Sequence, residues 1–160
     1  VRGRTCQSIL ASALVLLALG STPLQASEAP EGVALFQTHC VVCHRAAGVG
    51  TPGLAPPLTT TPARLANTSE GRRQLIWTLL YGMFGEITVD DRRYNFKMPL
   101  FSKLNDDDLS LLLNYLVATV GGNQTATPFG AGEIGDERSR SLDGAAVHAH
   151  RALAIGTLAP

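Results

Sequence analysis

The sequence predicts an all-α fold, and three segments carry that prediction. In residues 105–120, Leu109, Leu112, Leu113, Leu116, Val117 and Val120 recur at helical spacing and make one full apolar face. In residues 69–81, Leu75, Ile76, Leu79 and Leu80 form a second such stripe. In residues 30–39, Val33 and Phe36 fall on one side, in line with Cys40 just beyond. The strand signal is slight: EITVDDRRYNF reads as a small hairpin around Asp90-Asp91. With 160 residues, 45% of them apolar, the chain suits one globular domain of ordinary size.

From the start of the chain, Arg2 and Arg4 precede a short apolar run at residues 9–19. Gly20, Ser21, Pro23 and the small residue Ala26 follow. That order is the layout of a secretory signal peptide, so residues 1–26 are expected to be a leader cleaved near Ala26. The run is shorter than the roughly 20 apolar residues a spanning helix needs. Cys6 leaves with the leader, and the exported chain keeps Cys40 and Cys43. The formal net charge is zero, which gives no bulk attraction to nucleic acid. Loss of Arg2 and Arg4 leaves the exported chain slightly acidic.

The first mature helix is expected over residues 30–39, with Pro30 suited to a first turn. Residues 45–62 are loop, broken by Gly48, Gly50, Gly53 and the Pro56-Pro57 pair. Thr61-Pro62 can open a short helix through Ala66. A longer helix then starts at Thr68 or Ser69, either of which can cap it, and stops at Gly82. Trp77 lies off its apolar stripe, so it either edges a pocket or sits on the surface. Asn105 caps the last strong helix, and Asp106, Asp107 and Asp108 lie where the helix dipole favours negative charge. Gly121-Gly122 ends it. Residues 123–160 form a C-terminal extension, expected to be partly helical or weakly ordered. Within it SLDGAAVHAHRALA is a candidate helix. His148 and His150 are two apart and share no helix face, so they are read as surface residues. The sequons at Asn67 and Asn123 are read as chance patterns.

The chemistry concentrates at CVVCH, residues 40–44. Two thiols three apart on a helical turn point the same way, as two additions to the vinyl groups of one porphyrin edge require. The adjoining His44 is then placed to give iron an imidazole nitrogen. C-x-x-C-H is the attachment sequence of haem c, so Cys40, Cys43 and His44 are the expected attachment and ligand residues. A redox dithiol would sit in a strand-helix context, and the segment before Cys40 reads as helix. A zinc site would need about four ligands, and this cluster supplies three.

The iron's other face needs a ligand or stays open. Met83 and Met98 are the candidates. His39 sits on the attachment helix and cannot reach over the ring. Met98 is preferred because Pro99 pushes it into an extended, stiff conformation. Met83 follows an apolar helix and remains the second choice.

CVVCH, APPL, KMPLF and LNDDDLSLLLNYL, in that order, resemble class I cytochrome c over about residues 30–122. The resemblance implies an all-helical fold around one covalent haem c, with residues 27–122 as the cytochrome domain. It implies His44 and Met98 as axial ligands and Cys40 and Cys43 as thioether residues. It further implies a proline carbonyl, at Pro56 or Pro57, accepting a hydrogen bond from the axial histidine; Pro57 is the expected cofactor-binding residue. The family also crosses its first and last helices at a glycine and an aromatic, here Gly32, Phe36 and Tyr115. Where many relatives have a glycine two residues before the methionine, this chain has Phe96, which adds bulk beside the haem edge.

The expected function is one-electron transfer outside the cytoplasm between redox protein partners, with no bond chemistry of its own. Arg92, Arg93, Lys97 and Lys103 cluster around Met98 in sequence and would steer an acidic partner if they surround the haem edge. Two other readings stand beside it. One is a haem enzyme or gas sensor with an open sixth site. The other is an electron-transfer subunit whose extension docks it to a periplasmic dehydrogenase or oxidase, with peripheral association to a membrane complex. The extension is similar to those on some cytochrome domains that serve periplasmic dehydrogenases.

Overall fold

A computed structural model describes residues 28–158. The expected leader, residues 1–26, lies outside them. Helix α1 spans Glu28–His39, and a short helix α2, Val41–His44, follows at once. After a 3₁₀ turn at Ala46–Gly48 come α3, Thr61–Leu65, and α4, Ser69–Tyr81. Strands β1, Ile87–Val89, and β2, Arg92–Tyr94, form a two-stranded antiparallel hairpin pairing Ile87 with Tyr94 and Val89 with Arg92. Helix α5 is Asp106–Asn114, and a π-helical stretch, Tyr115–Val120, continues it. The extension contributes α6, Ala131–Arg138, and α7, Gly144–Gly156.

The expected caps are present. The Thr68 hydroxyl accepts from the Gly71 N–H at 3.0 Å, and the Asn105 carboxamide oxygen accepts from the Asp108 N–H at 2.7 Å. Each such cap satisfies one orphan donor of the first turn. Gly82 closes α4 at φ +72°, with the Met98 carbonyl so close that a Cβ there would meet it at 2.7 Å. The hairpin turns through Asp90 and Asp91, both at positive φ, as two-residue turns between right-twisted strands require.

Helix α1 crosses α5 at Gly32. A Cβ on Gly32 would stand 2.7 Å from the Tyr115 Cβ and 2.8 Å from the Leu111 carbonyl oxygen, so the two backbones touch through the missing side chain. Beside the crossing, Phe36 packs on Tyr115 with ring centroids 5.5 Å apart. The core gathers around this contact from Phe36, Ile76, Leu79, Leu80, Leu109, Leu112, Leu113, Leu116 and Val117.

Four expectations need correction. The last helix is not α-helical throughout: from Tyr115 its bonds lengthen, the Gly121 N–H reaching the Leu116 carbonyl five residues back. In α4, Leu75 is only partly buried, and the polar Gln74 is buried in its place. Trp77 is neither at a pocket edge nor on the surface; the extension covers it. The extension itself is two packed helices. Ile134 of α6 and Val147 of α7 are fully buried in the main core.

Long polar side chains hold the extension down. Arg72 binds Glu133 through two bonds of 2.8 and 2.6 Å, donates to the Thr127 and Pro128 carbonyls, and stacks over Phe129. Arg138 reaches back to Asp106 and to the Ser102 and Leu104 carbonyls. Asn114 exchanges both side-chain hydrogen bonds with the backbone of Phe129. The Trp77 indole N–H donates to the Glu137 carboxylate at 2.6 Å. Asn67 and Asn123 are tied to each other, the Asn123 amide donating to Asn67 and to the Ala63 carbonyl.

Candidate functional site

The largest cavity lies between α2, the Pro56-Pro57 loop, α4, the hairpin and the 96–101 segment. It holds about 1120 Å³ of empty space, partly open to solvent, and its walls are mostly apolar. Compact drug-sized ligands occupy about 300–1,000 Å³, so a macrocycle has room here. Cys40, Cys43, His44, Met83 and Met98 all line it.

Helix α2 is a single turn, and it brings both sulfurs and the imidazole to the same wall. Cys40 and Cys43 are free thiols. Burial pushes the Cys40 thiol up to about 12, with Cys43 beside it adding to the shift. A redox dithiol works through a stabilised thiolate, and this environment does the opposite. Immediately after His44 the chain reverses through Arg45 at φ 63° and ψ 166°, a region costly for any side chain, on the order of 1–3 kcal/mol. Three bonds hold it there. The Arg45 N–H donates to Val41, the Arg45 guanidinium to the Thr51 hydroxyl at 3.0 Å, and that hydroxyl to the Cys43 carbonyl at 2.8 Å.

The reversal returns the chain over His44. Its Nδ1 lies 2.8 Å from the Pro56 carbonyl oxygen. Nδ1 therefore carries the proton, and Nε2 keeps a free lone pair, the form a metal ligand needs. Burial lowers the His44 pKa, against a smaller upward pull from the Pro56 bond, so the neutral ring is favoured. The acceptor is Pro56 and not Pro57. A peptide unit has one carbonyl facing one way, and Pro57 contributes a wall of the cavity instead.

Met83 and Met98 meet as an isolated antiparallel bridge, Met83 N–H to Met98 O at 3.1 Å and Met98 N–H to Met83 O at 2.9 Å. Residues directly opposed in such a pair send their side chains to one face, which is why both line the cavity. They differ in what holds the sulfur. The Gln74 amide stands 3.7 Å from the Met83 Sδ as a donor, while no such group among the described residues engages Met98. His39 lines the cavity from α1, its ring edge-on to Phe101.

Of the four basic residues near Met98 in sequence, only Lys97 lines the cavity; Arg93 pairs with Glu86 at 3.7 Å. Phe96 also lines it and is 60% exposed, as bulk at the cavity mouth would be. The two extension histidines are structural. His150 bonds Gln74 at 2.8 Å and Glu70 at 2.9 Å and stacks on Trp77, and His148 bonds the Glu86 carbonyl at 2.7 Å. Sequence spacing could not show this, because their partners come from other elements.

Against known families, residues 29–119 match the model of the cytochrome c family. The chain belongs to the cytochrome c family. It is 34% identical over 121 residues to cytochrome c-552 of Thermus thermophilus, an alignment covering 74% of this chain and 92% of that protein. A second cytochrome c-552, from another record of the same species, matches at 34% identity over 82% of its length. The helices arranged around an apolar cavity are the class I fold, and the cofactor is one covalently attached haem c. The cavity fits that group by its own chemistry: paired sulfurs on one turn, a neutral imidazole with its donor nitrogen free, thioethers on a facing segment. This cytochrome is thus a haem-based electron carrier with redox protein partners. No helix among the described residues is long and apolar enough to cross a membrane.

Proposed function

We propose that this cytochrome carries single electrons with an iron held between His44 and Met98. The observation that carries the reading is the Met83–Met98 bridge, which turns two thioethers toward the cavity that His44 lines and leaves Met98 the sulfur without a donor on it. Bound haem c supplies an iron that cycles between ferric and ferrous. The protein's share is to fill both axial positions and exclude water, which favours the ferrous form and raises the potential. Pro56 orients His44 and makes it a better donor. Pro99 and the hydrogen bonds of the bridge stiffen the backbone at Met98. With both positions filled, no site is left for a substrate, so the protein is a carrier and not an enzyme.

Residues 1–26 act as a cleaved leader and the mature chain works in the periplasm, where covalent attachment prevents loss of the cofactor. Donor and acceptor dock at the cavity mouth, where Phe96 and Val42 are exposed beside Lys97. Such contacts between redox proteins are small, under about 1,200 Å². The test is Met98→Ala in the holoprotein. The methionine-to-iron charge-transfer band should vanish and the ferrous form should take up carbon monoxide. A retained band would assign the ligand to Met83.

A further inference from the structure

The porphyrin cavity has one wall that the family match does not reach. Arg151, on α7 of the extension and beyond the matched residues 29–119, lines it together with Thr61 and Val89. These three residues also line a second hollow, shared with Arg64, Thr88, Asp90 and Ile155. Arg151 is half-buried, and among the described residues it makes no hydrogen bond and no ion pair. Its neighbours on α7 are committed elsewhere, His148 to Glu86 and His150 to Glu70 and Gln74. Asp90, the acidic group that lines the second hollow, makes no ion pair with it. Burial without a partner lowers the Arg151 pKa. A desolvated guanidinium is costly unless an anion meets it. Tyr94 of β2 lines the same cavity, is only 5% exposed, and its hydroxyl makes no hydrogen bond among the described residues.

Haem c brings two carboxylates, its propionates, on the edge of the ring opposite the thioethers. The thioether edge is set by Cys40 and Cys43 on α2. The other cation lining the cavity, Lys97, lies over the Phe84 ring at 5.7 Å. We infer that Arg151 is a haem-propionate anchor supplied by the C-terminal extension, with the Tyr94 hydroxyl as a second donor. The extension thereby completes the cofactor site rather than serving only as an outer layer. A guanidinium suits a carboxylate because two parallel N–H bonds match its two oxygens.

The inference rests on haem c occupying this cavity, and its test separates the two. The holoprotein reduction potential is measured against pH for wild type, Arg151→Gln and Arg151→Lys. A paired propionate ionises at lower pH, typically by one unit or more. Loss of the cation should move the potential's pH break upward by about one unit. It should also favour ferric iron several-fold, up to about tenfold or ~59 mV. Arg151→Lys should restore most of both effects. An unchanged break in Arg151→Gln, with haemochrome spectrum and methionine band intact, overturns the anchor and leaves the haem reading standing. A loss of covalent haem in wild type would instead remove the premise. If Arg151→Gln fails to mature, wild-type ferrous protein decides: nuclear Overhauser contacts between the Arg151 guanidinium protons and the propionate methylenes are expected, and their absence refutes the anchor.

Discussion

Glu137 is the residue on which the fastening of the extension turns, and Glu137→Ala tests how much of the fold depends on it. Its carboxylate accepts from the Trp77 indole at 2.6 Å, faces Arg73 at 3.4 Å, and pairs with Arg140; its side chain is 13% exposed. A hydrogen bond to a charged acceptor contributes about 1.5–3 kcal/mol, and the buried indole N–H would lose its partner. The two arginines are a third to a half exposed, so each pair adds about 0–1 kcal/mol. The sum is about 3 kcal/mol, or a fall of about 10 °C in Tm for a chain of this size. Glu137→Gln keeps an acceptor for Trp77 and should lose only about 1 kcal/mol. The sign with pH follows from the carboxylate. Burial pushes its pKa up, but the Trp77 bond and the Arg140 and Arg73 charges outweigh it, and the net shift is downward from 4.5. Wild type should therefore hold its advantage over Glu137→Gln above about pH 4.5 and lose it as pH falls below that, through the depressed pKa. Thermal unfolding of the holoprotein by circular dichroism reads all of this. A Glu137→Ala midpoint within about 2 °C of wild type would refute the reasoning.

Other outcomes follow from the same contacts. Gly32→Val should block the α1–α5 crossing, where a Cβ already meets Tyr115 and Leu111 at 2.7 and 2.8 Å; a melting midpoint equal to wild type would contradict it. Cys40→Ala and Cys43→Ala should each cut the yield of covalent holoprotein, measured as haem per polypeptide, and normal yield in both would count against the attachment. Met83→Ala should keep the methionine-to-iron band that Met98→Ala loses, since Gln74 already engages the Met83 sulfur; loss of the band in Met83→Ala would reverse the assignment.

What was legible in the sequence is what depends on local spacing. Cys40, Cys43 and His44 could be read because covalent chemistry demands that spacing, and Thr68, Gly82 and Asn105 because caps and stops act within one turn. The Asp90-Asp91 turn and the Gly32–Tyr115 crossing were also readable, the latter only through the family resemblance. The extension was not. Its fastenings join residues far apart in sequence, Arg72 to Glu133 and Trp77 to Glu137, and they are polar, so apolar periodicity is blind to them. The same blindness misplaced Gln74, a polar residue on a buried face that bonds His150 and Met83. Arg151 carried no signal in sequence at all. It gains meaning only once α7 lies against the cavity.

The most direct test of the central claim is a pyridine haemochrome spectrum of the matured full-length protein, taken with acid-acetone extraction. The account predicts the spectrum of a haem with both vinyl groups saturated, and pigment that stays with the polypeptide. A spectrum with free vinyl groups, or pigment that passes into the solvent, would contradict attachment through Cys40 and Cys43.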